Sequence, residues 1–217
     1  MRESLGVRKA KKADAHQLAS FIPTEATLHD VLFVFKVKLA AQLKNDERAR
    51  IWQIVDSNMR DIASKSSMGW KPTQKKKELF STKSRFILVY QSQGAKNAGD
   101  NNLGDLKTAD IVGFVMFRFE HEEGEDLVYC YEVQMCDEFR SHGVGHLLLR
   151  SLVDIGLHWG MDKIMLTCLK SNPRARVFYG KHGFVMDPCS PDYVNKDEGE
   201  EEEGKAYCDY EILSRVL

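Results

Sequence analysis

Hydrophobic and polar positions alternate along this chain in two periods. Phe33 to Leu39 (Phe-Val-Phe-Lys-Val-Lys-Leu) alternates in part and predicts a first strand. From about Glu47 to Ser64 the apolar positions fall at helical spacing, with Ile51, Ile54, Val55, Met59 and Ile62 as one stripe and Asn45 and Asp46 as capping residues ahead of it. Ser66, Ser67 and Gly69 break that helix and Trp70 stands beside the break. Pro72 then opens a second, polar helix through Lys75-Lys76-Lys77-Glu78-Leu79. Three strands are predicted next, over Arg85–Gln91, Ile111–Glu120 and Leu127–Cys136. A Gly/Asn/Asp/Ser-rich loop from Ser92 to Asp110 separates the first two, and the short turn Glu122-Glu123-Gly124-Glu125 the last two.

An apolar helical pattern over 146–159 precedes a buried strand, Lys163–Leu169. Asn172 then caps a short helix running to Lys181, with Pro173 just inside its start. Gly183–Met186 and Ala206–Leu213 read as the closing strands, with an acidic insertion, Lys196–Gly204, between them. Residues 1–30 are polar, with one short helical stretch from Asp14 to Phe21 ended by Pro23, and are expected to pack loosely or wrap the outside as an extension of a domain over 31–217. Hairpin-length loops make antiparallel neighbours, whereas the helix at 146–159 is a crossover that demands a parallel partner. The prediction is an α/β fold: a mixed, mostly antiparallel sheet with helices on both faces.

Composition narrows the classes. At 217 residues the chain can bury one sizeable core, and 43% hydrophobic with 29% charged residues is ordinary for a soluble globular protein. A net charge of −1 gives no electrostatic footprint for nucleic acid, so no direct nucleic-acid binding is expected. Five cysteines, odd in number and without a C-x-x-C pair, argue against a disulfide framework or a zinc site and for a reducing compartment. No apolar run approaches the ~20 residues that span a bilayer, and the first residues lack a secretory segment, so no membrane association is expected. Cytoplasm and nucleus are the expected locations. Arg8, Lys9, Lys11 and Lys12 form a basic cluster that reads either as a nuclear signal or as a solvated charge run.

The stretch that carries chemistry runs from Leu127 to Gly145. Its first half is a strand holding Tyr129, Tyr131 and the carboxylate of Glu132; its second half, Arg140-Ser141-His142-Gly143-Val144-Gly145, leads straight into a helix at His146. A strand, a glycine turn and a helix start present unpaired N–H groups to an anion, and glycines at 143 and 145 let a phosphate approach the backbone. In a regular strand Tyr129 and Tyr131 point away from Glu132, so all three meet one cleft only if the strand bulges or ends there. A carboxylate in an apolar strand is costly unless used or paired, and Glu132 is the candidate base; the alternative is that it holds a neighbouring group in place.

Arg140-x-x-Gly143-x-Gly145 after a strand resembles the acetyl-CoA pyrophosphate loop of the GNAT acetyltransferase superfamily. Asn172-x-x-Ala175-x-x-Phe178-Tyr179, followed by Gly183-Phe184, resembles that superfamily's later signature. Within it, Tyr129-Cys130-Tyr131-Glu132-Val133-Gln134, Lys163-Ile164-Met165-Leu166-Thr167, Met68-Gly69-Trp70-Lys71 and Tyr210-Glu211-Ile212-Leu213-Ser214-Arg215 are similar to NatD, the family of histone-selective N-alpha-acetyltransferases. The resemblance implies the GNAT (acyl-CoA N-acyltransferase) fold and acetyl-CoA as co-substrate, without a metal. It implies acetylation of the free α-amino group of histone 4 and histone 2A tails, which begin Ser-Gly-Arg-Gly, by a monomer without an auxiliary subunit. The chain departs from that pattern at Ala63 and Met68, where aromatic residues are expected near the peptide entrance.

The same resemblance implies Glu132, Tyr131 and Tyr179 as catalytic residues, Tyr179 protonating the departing thiolate. The backbone of Val133, Gln134 and Met135 would meet the pantetheine and the oxyanion, Ser141 to His146 the pyrophosphate, with Arg140 beside it, and Asn172 the pantetheine arm. His142 is placed there by its loop and not as a base. Glu120, Tyr129, Thr167, Ser190, Tyr210 and Trp70 would join Tyr131 and Glu132 around the peptide, Glu120 facing the histone arginine. Other readings stay open: a GNAT enzyme acting on lysine side chains or another amine, and a CoA-binding module without catalysis.

Overall fold

The computed structural model describes residues 3–92, 111–193 and 208–217. In chain order the elements are α1 (Leu5–Ala10), α2 (Ala15–Ala19), β1 (Glu25–Leu28), β2 (Val31–Leu39), α3 (Asn45–Ser64), α4 (Pro72–Leu79), β3 (Arg85–Ser92), β4 (Ile111–Glu122), β5 (Glu125–Met135), α5 (Val144–Trp159), β6 (Lys163–Leu169), α6 (Pro173–Lys181), β7 (Val185–Met186) and β8 (Tyr210–Val216). Among the described residues the strands form one eight-stranded sheet in the order β1-β2-β3-β4-β5-β6-β8-β7. Its neighbours are antiparallel except β5 and β6, which α5 joins as the predicted parallel crossover. The residues after Ser92 up to Asp110 and the acidic insertion at 196–204 lie outside the described residues.

Alternation along the strands builds two cores. On one face Phe35, Ile87, Val89, Val115, Phe117 and Phe119 pack under α5 with Leu148, Leu152 and Ile155. On the other, Phe86, Leu88, Phe114 and Met116 pack under α3 with Ile51, Ile54 and Val55. Gly113 lets β4 and β5 close on each other, since a Cβ there would meet the Gln134 carbonyl oxygen at 2.7 Å and Met135 Sδ at 2.1 Å.

The N-terminal segment corrects the sequence reading. It does not pack loosely: Val7, Ala10, Ala13 and Leu18 are buried in the α5-side core. Ser4 caps α1 at 3.1 Å, a capping box of Asp14 and Gln17 starts α2, and the Arg85 guanidinium donates to the carbonyls of Ala10 at 3.2 Å and Lys11 at 2.7 Å. A buried cation of β3 thereby satisfies the end of α1. β1 is an added edge strand whose residues, Glu-Ala-Thr-Leu, show no apolar run.

At the far end of the sheet, Lys163 of β6 is buried and ion-paired with Asp187 at 2.8 Å and Glu125 at 2.5 Å. Asp187 also anchors β7 beside β8 through its N–H to the Ile212 carbonyl, 2.9 Å. Burial alone would raise the Asp187 carboxyl, but hydrogen bonds from Cys189, Lys163 and Ser214 outweigh it and hold the group well below the usual carboxylate range. A carboxyl depressed in this way adds stability above its unfolded value of about 3.9 and loses it as the pH falls toward the folded one. Denaturant midpoints are therefore expected to fall below about pH 4. Asp187→Asn should cost about 1–3 kcal/mol at neutral pH and make that acid limb shallower, as measured by urea unfolding across pH.

Candidate active site

The site opens where β5 and β6 part. They pair only at Leu127–Lys163, Val128–Ile164 and Tyr129–Met165. β5 then runs on to Met135 and β6 to Leu169. Past Tyr129 the facing edge of β5 carries backbone groups that β6 does not take, and an extended ligand can add there as a strand does.

At the end of this edge stands the anion cradle. Gly143 caps α5 in the left-handed region (φ 86°) and Ser141 is left-handed as well (φ 64°). Among the described residues no acceptor faces the N–H groups of Ser141 to Gly145. These donors point from the start of a 16-residue helix, which adds its own positive end. Gly145 is required by packing, since a Cβ there would meet the Phe178 ring at 2.9 Å. Arg140 is ion-paired with Asp137 at 2.7 Å. His142 belongs to an aromatic cluster with His29, Phe33 and Phe139, its Nδ1 against the Arg140 carbonyl at 2.9 Å.

Between cradle and parting point, β5 bulges. Met116 of β4 faces Glu132, but the next residue, Phe117, faces Cys130, so Tyr131 is the extra residue. Cys130 stays in the α5-side core, whereas Tyr131 borders the α3-side core. Glu132, which strict alternation would turn away, reaches α3-side partners as well: Lys75 Nζ of α4 at 2.5 Å, and Gln134 Nε2 at 2.6 Å, Gln134 itself being held by Asn58 of α3 at 2.8 Å. The bulge is what lets the phenol and the carboxylate share one face. Glu132 is 5% exposed, so its charge depends on these donors.

A parting pair of parallel strands, a bulged strand with a carboxylate and a glycine cradle at a helix start can take an extended ligand that carries an anionic group. The sequence model of the acetyltransferase (GNAT) family matches residues 58–184, more than half of the chain. The protein is a member of the GNAT acetyltransferase family. Solved structures agree on the fold. The NatC complex bound to Gag peptide and CoA is 16% identical, covering 85% of this chain and 98% of that one, with a TM-score of 0.54. Arabidopsis thaliana NAA60 with a bisubstrate analogue is 12% identical over 85% and 99%, TM-score 0.53. Ard1 from Thermoplasma volcanium is 12% identical over 84% and 97%, TM-score 0.50.

Acetyl-CoA is thus this GNAT enzyme's co-substrate, and the residues fit it: the unpaired N–H groups suit its pyrophosphate and the open edge of β5, Val133 to Met135, suits its amide-bearing arm. Gln134 contributes backbone only, its side chain being spent on Glu132 and Asn58. The Met135 carbonyl already accepts from Asn58 at 3.0 Å. Asn172 caps α6 through Oδ1 to Ala175 N at 3.2 Å. Tyr179 of α6 borders the α5-side core, and burial first, then Cys130, Cys168 and Glu132, raise its phenol well above the usual value. Among the described residues no cluster of His, Cys, Asp or Glu is arranged to hold a metal.

Tyr129 and Tyr131 stand side by side, ring centroids 4.7 Å apart, with Tyr129 hydrogen-bonded to Thr167 at 2.7 Å. Burial pushes the Tyr129 phenol up to about 12. The structure adds partners that the sequence did not single out. Arg118 of β4 lies over the Tyr131 ring at 4.3 Å and donates to the Glu78 carbonyl. Glu120, Glu78 and Glu122 all act on Tyr131, whose phenol burial raises. Glu122 is itself raised by burial, then by Glu120 and Glu123, which marks a crowded acidic rim. Lys11 stands 3.8 Å from Glu120. Of the other expected peptide residues, Ser190 is buried with its hydroxyl accepting from Ile212 N at 3.1 Å, Tyr210 opens β8, and Trp70 stacks on Trp52 at 5.6 Å. Ser67 ties the α3–α4 loop to Asp209, just before β8, at 2.5 and 2.7 Å.

Gly143→Ala puts a side chain in the left-handed region at about 1–2 kcal/mol. Acetyl-CoA affinity should fall about tenfold in calorimetric titration, with the circular dichroism spectrum unchanged.

Proposed function

We propose that this enzyme transfers the acetyl group of acetyl-CoA to the free α-amino group of proteins beginning Ser-Gly-Arg-Gly, the tails of histone 4 and histone 2A. The observation that carries the reading is the acidic rim, Glu78, Glu120 and Glu122, whose charges all act on the Tyr131 phenol. A basic tail suits such a rim, and an arginine in the third position has carboxylates for its planar guanidinium. The NatC and NAA60 structures support it as folds of N-terminal acetyltransferases.

The chemistry asks little of the protein. A peptide α-amine has a pKa of about 8, so the neutral form costs about 1.4 kcal/mol at pH 7, against about 4.6 kcal/mol for a lysine near 10.4. Tyr129 and Tyr131 flank the amine. Glu132 takes its proton on the lone pairs that Lys75 and Gln134 leave open. Backbone N–H groups on the free edge of β5 meet the negative charge that develops on the acyl oxygen. The Tyr179 phenol hydrogen-bonds the departing sulfur. The enzyme works on histone tails in cytoplasm and nucleus as a monomer.

A Ser-Gly-Arg-Gly peptide incubated with enzyme and acetyl-CoA should gain one acetyl group on its α-nitrogen, located by fragment mass spectrometry. An α-blocked peptide should gain none, and replacing the arginine by alanine should raise KM. Acetylation at lysine instead would overturn the proposal. Glu132→Gln should lower kcat by about 10²–10⁴ while acetyl-CoA still binds.

A further inference from the structure

The run Lys75-Lys76-Lys77 divides its three ammonium groups between different tasks. Lys76 lies over the Trp52 ring at 4.5 Å and Lys77 is exposed. Lys75 turns inward, its Nζ 2.5 Å from Glu132 Oε1 and 2.5 Å from Glu78 Oε1, and its side chain is 24% exposed. Helix α4 is fixed in this rotation by buried Leu79, by Arg118 donating to the Glu78 carbonyl, and by the Lys76–Trp52 contact. The two oxygens of Glu132 are thereby held from opposite elements, Oε1 by Lys75 of α4 and Oε2 by Gln134 of β5, the latter backed by Asn58 of α3.

We infer that Lys75 is a positioning residue for acetyl transfer, its ammonium fixing the Glu132 carboxylate as an ion pair aimed at the face that carries Tyr131. The inference rests on the reading of Glu132 as the base. Burial alone would lower the Lys75 amine, but Glu132 and then Glu78 outweigh it and hold it above the ordinary lysine value. It therefore stays charged across the working pH range and does not itself compete for acetyl, because a nucleophile must be neutral. Among the described residues the other titratable groups that act on or beside this pair are Cys130 of β5 and Tyr179 of α6, both raised by burial, and Tyr131 of β5 under Arg118 of β4. All three are therefore neutral at neutral pH. A buried carboxylate that loses its cation binds a proton more readily, so loss of Lys75 is read in the acid limb of the rate profile.

The test compares Lys75→Met, Lys75→Gln and Lys75→Arg in the full-length enzyme, alone and with Glu132→Gln, using acetyl-CoA and the Ser-Gly-Arg-Gly peptide. Lys75→Met should lower kcat about ten- to a hundredfold, part of the ~10²–10⁴ that a positioned base supplies, and move the acid limb of kcat to higher pH. Lys75→Gln carries the same expectation where the methionine variant does not fold, and Lys75→Arg should restore most of the rate. In the Glu132→Gln background Lys75→Met should add nothing. An equal loss in both backgrounds with an unmoved pH profile would make the residue merely structural and overturn the inference. So would a fall in peptide KM at unchanged kcat, which would make Lys75 a resident competitor of the substrate ammonium. If Glu132→Gln is inactive while Lys75→Met matches wild type, this inference alone fails; if Glu132→Gln is fully active, the base reading fails and takes this one with it.

Discussion

One extra residue in β5 is the constraint on which the site depends. Side chains on a strand alternate, so a regular β5 would turn Tyr131 and Glu132 to opposite faces. Because Met116 faces Glu132 while Phe117 faces Cys130, Tyr131 is taken out of register and both groups reach the α3-side layer. The bulge is held from both sides: Phe117 and Cys130 anchor one core, and Gln134, tied to Asn58, re-establishes the strand beyond it. Strand pairing supplies the rest, since β5 and β6 separate directly after Tyr129 and leave the bulged edge facing the cleft.

Buried charge marks the same region in a second way. A carboxylate taken from water loses several kcal/mol unless donors replace its hydration. Glu132 is surrounded by an ammonium and an amide, and the ammonium is shared with Glu78. The Lys163–Asp187–Glu125 cluster at the other end of the cleft strands uses the same chemistry to pin β6, β7 and the β4–β5 hairpin. The two clusters differ in surroundings. Asp187 spends its oxygens on Lys163 and on Cys189 N. Glu132 sits beside two phenols and an open strand edge, where a ligand can approach.

Most of the sheet was legible because its strands carry long apolar runs and its helices one clear stripe. β6 matches its expected range from Lys163 to Leu169, and α6 its cap at Asn172 and its end at Lys181. α1 and β1 were not legible, because six residues with two buried positions, Val7 and Ala10, leave no periodicity above the charged background. The glycine loop was readable since its geometry is local. The bulge was readable only as a condition, because register depends on β4. Lys75 was hidden for another reason: within three consecutive lysines, inward orientation is set by Leu79, Trp52 and Arg118, none of which adjoins it in sequence.

Tyr179 shows where the geometry refines a role implied by resemblance. A thiol titrates near 8.5 and an ordinary phenol near 10, so passing a proton from phenol to thiolate is already uphill by about 2 kcal/mol. Burial, then Cys130, Cys168 and Glu132, raise the Tyr179 phenol further, so full transfer becomes costlier still. A neutral phenol nevertheless remains a hydrogen-bond donor, and a bond to a sulfur gaining charge strengthens as the charge grows. In the proposed reaction Tyr179 therefore serves by holding the sulfur with a hydrogen bond, and the thiolate takes its proton later from solvent. That division leaves Glu132 as the group that changes protonation during transfer, with Lys75, charged throughout, holding it in place.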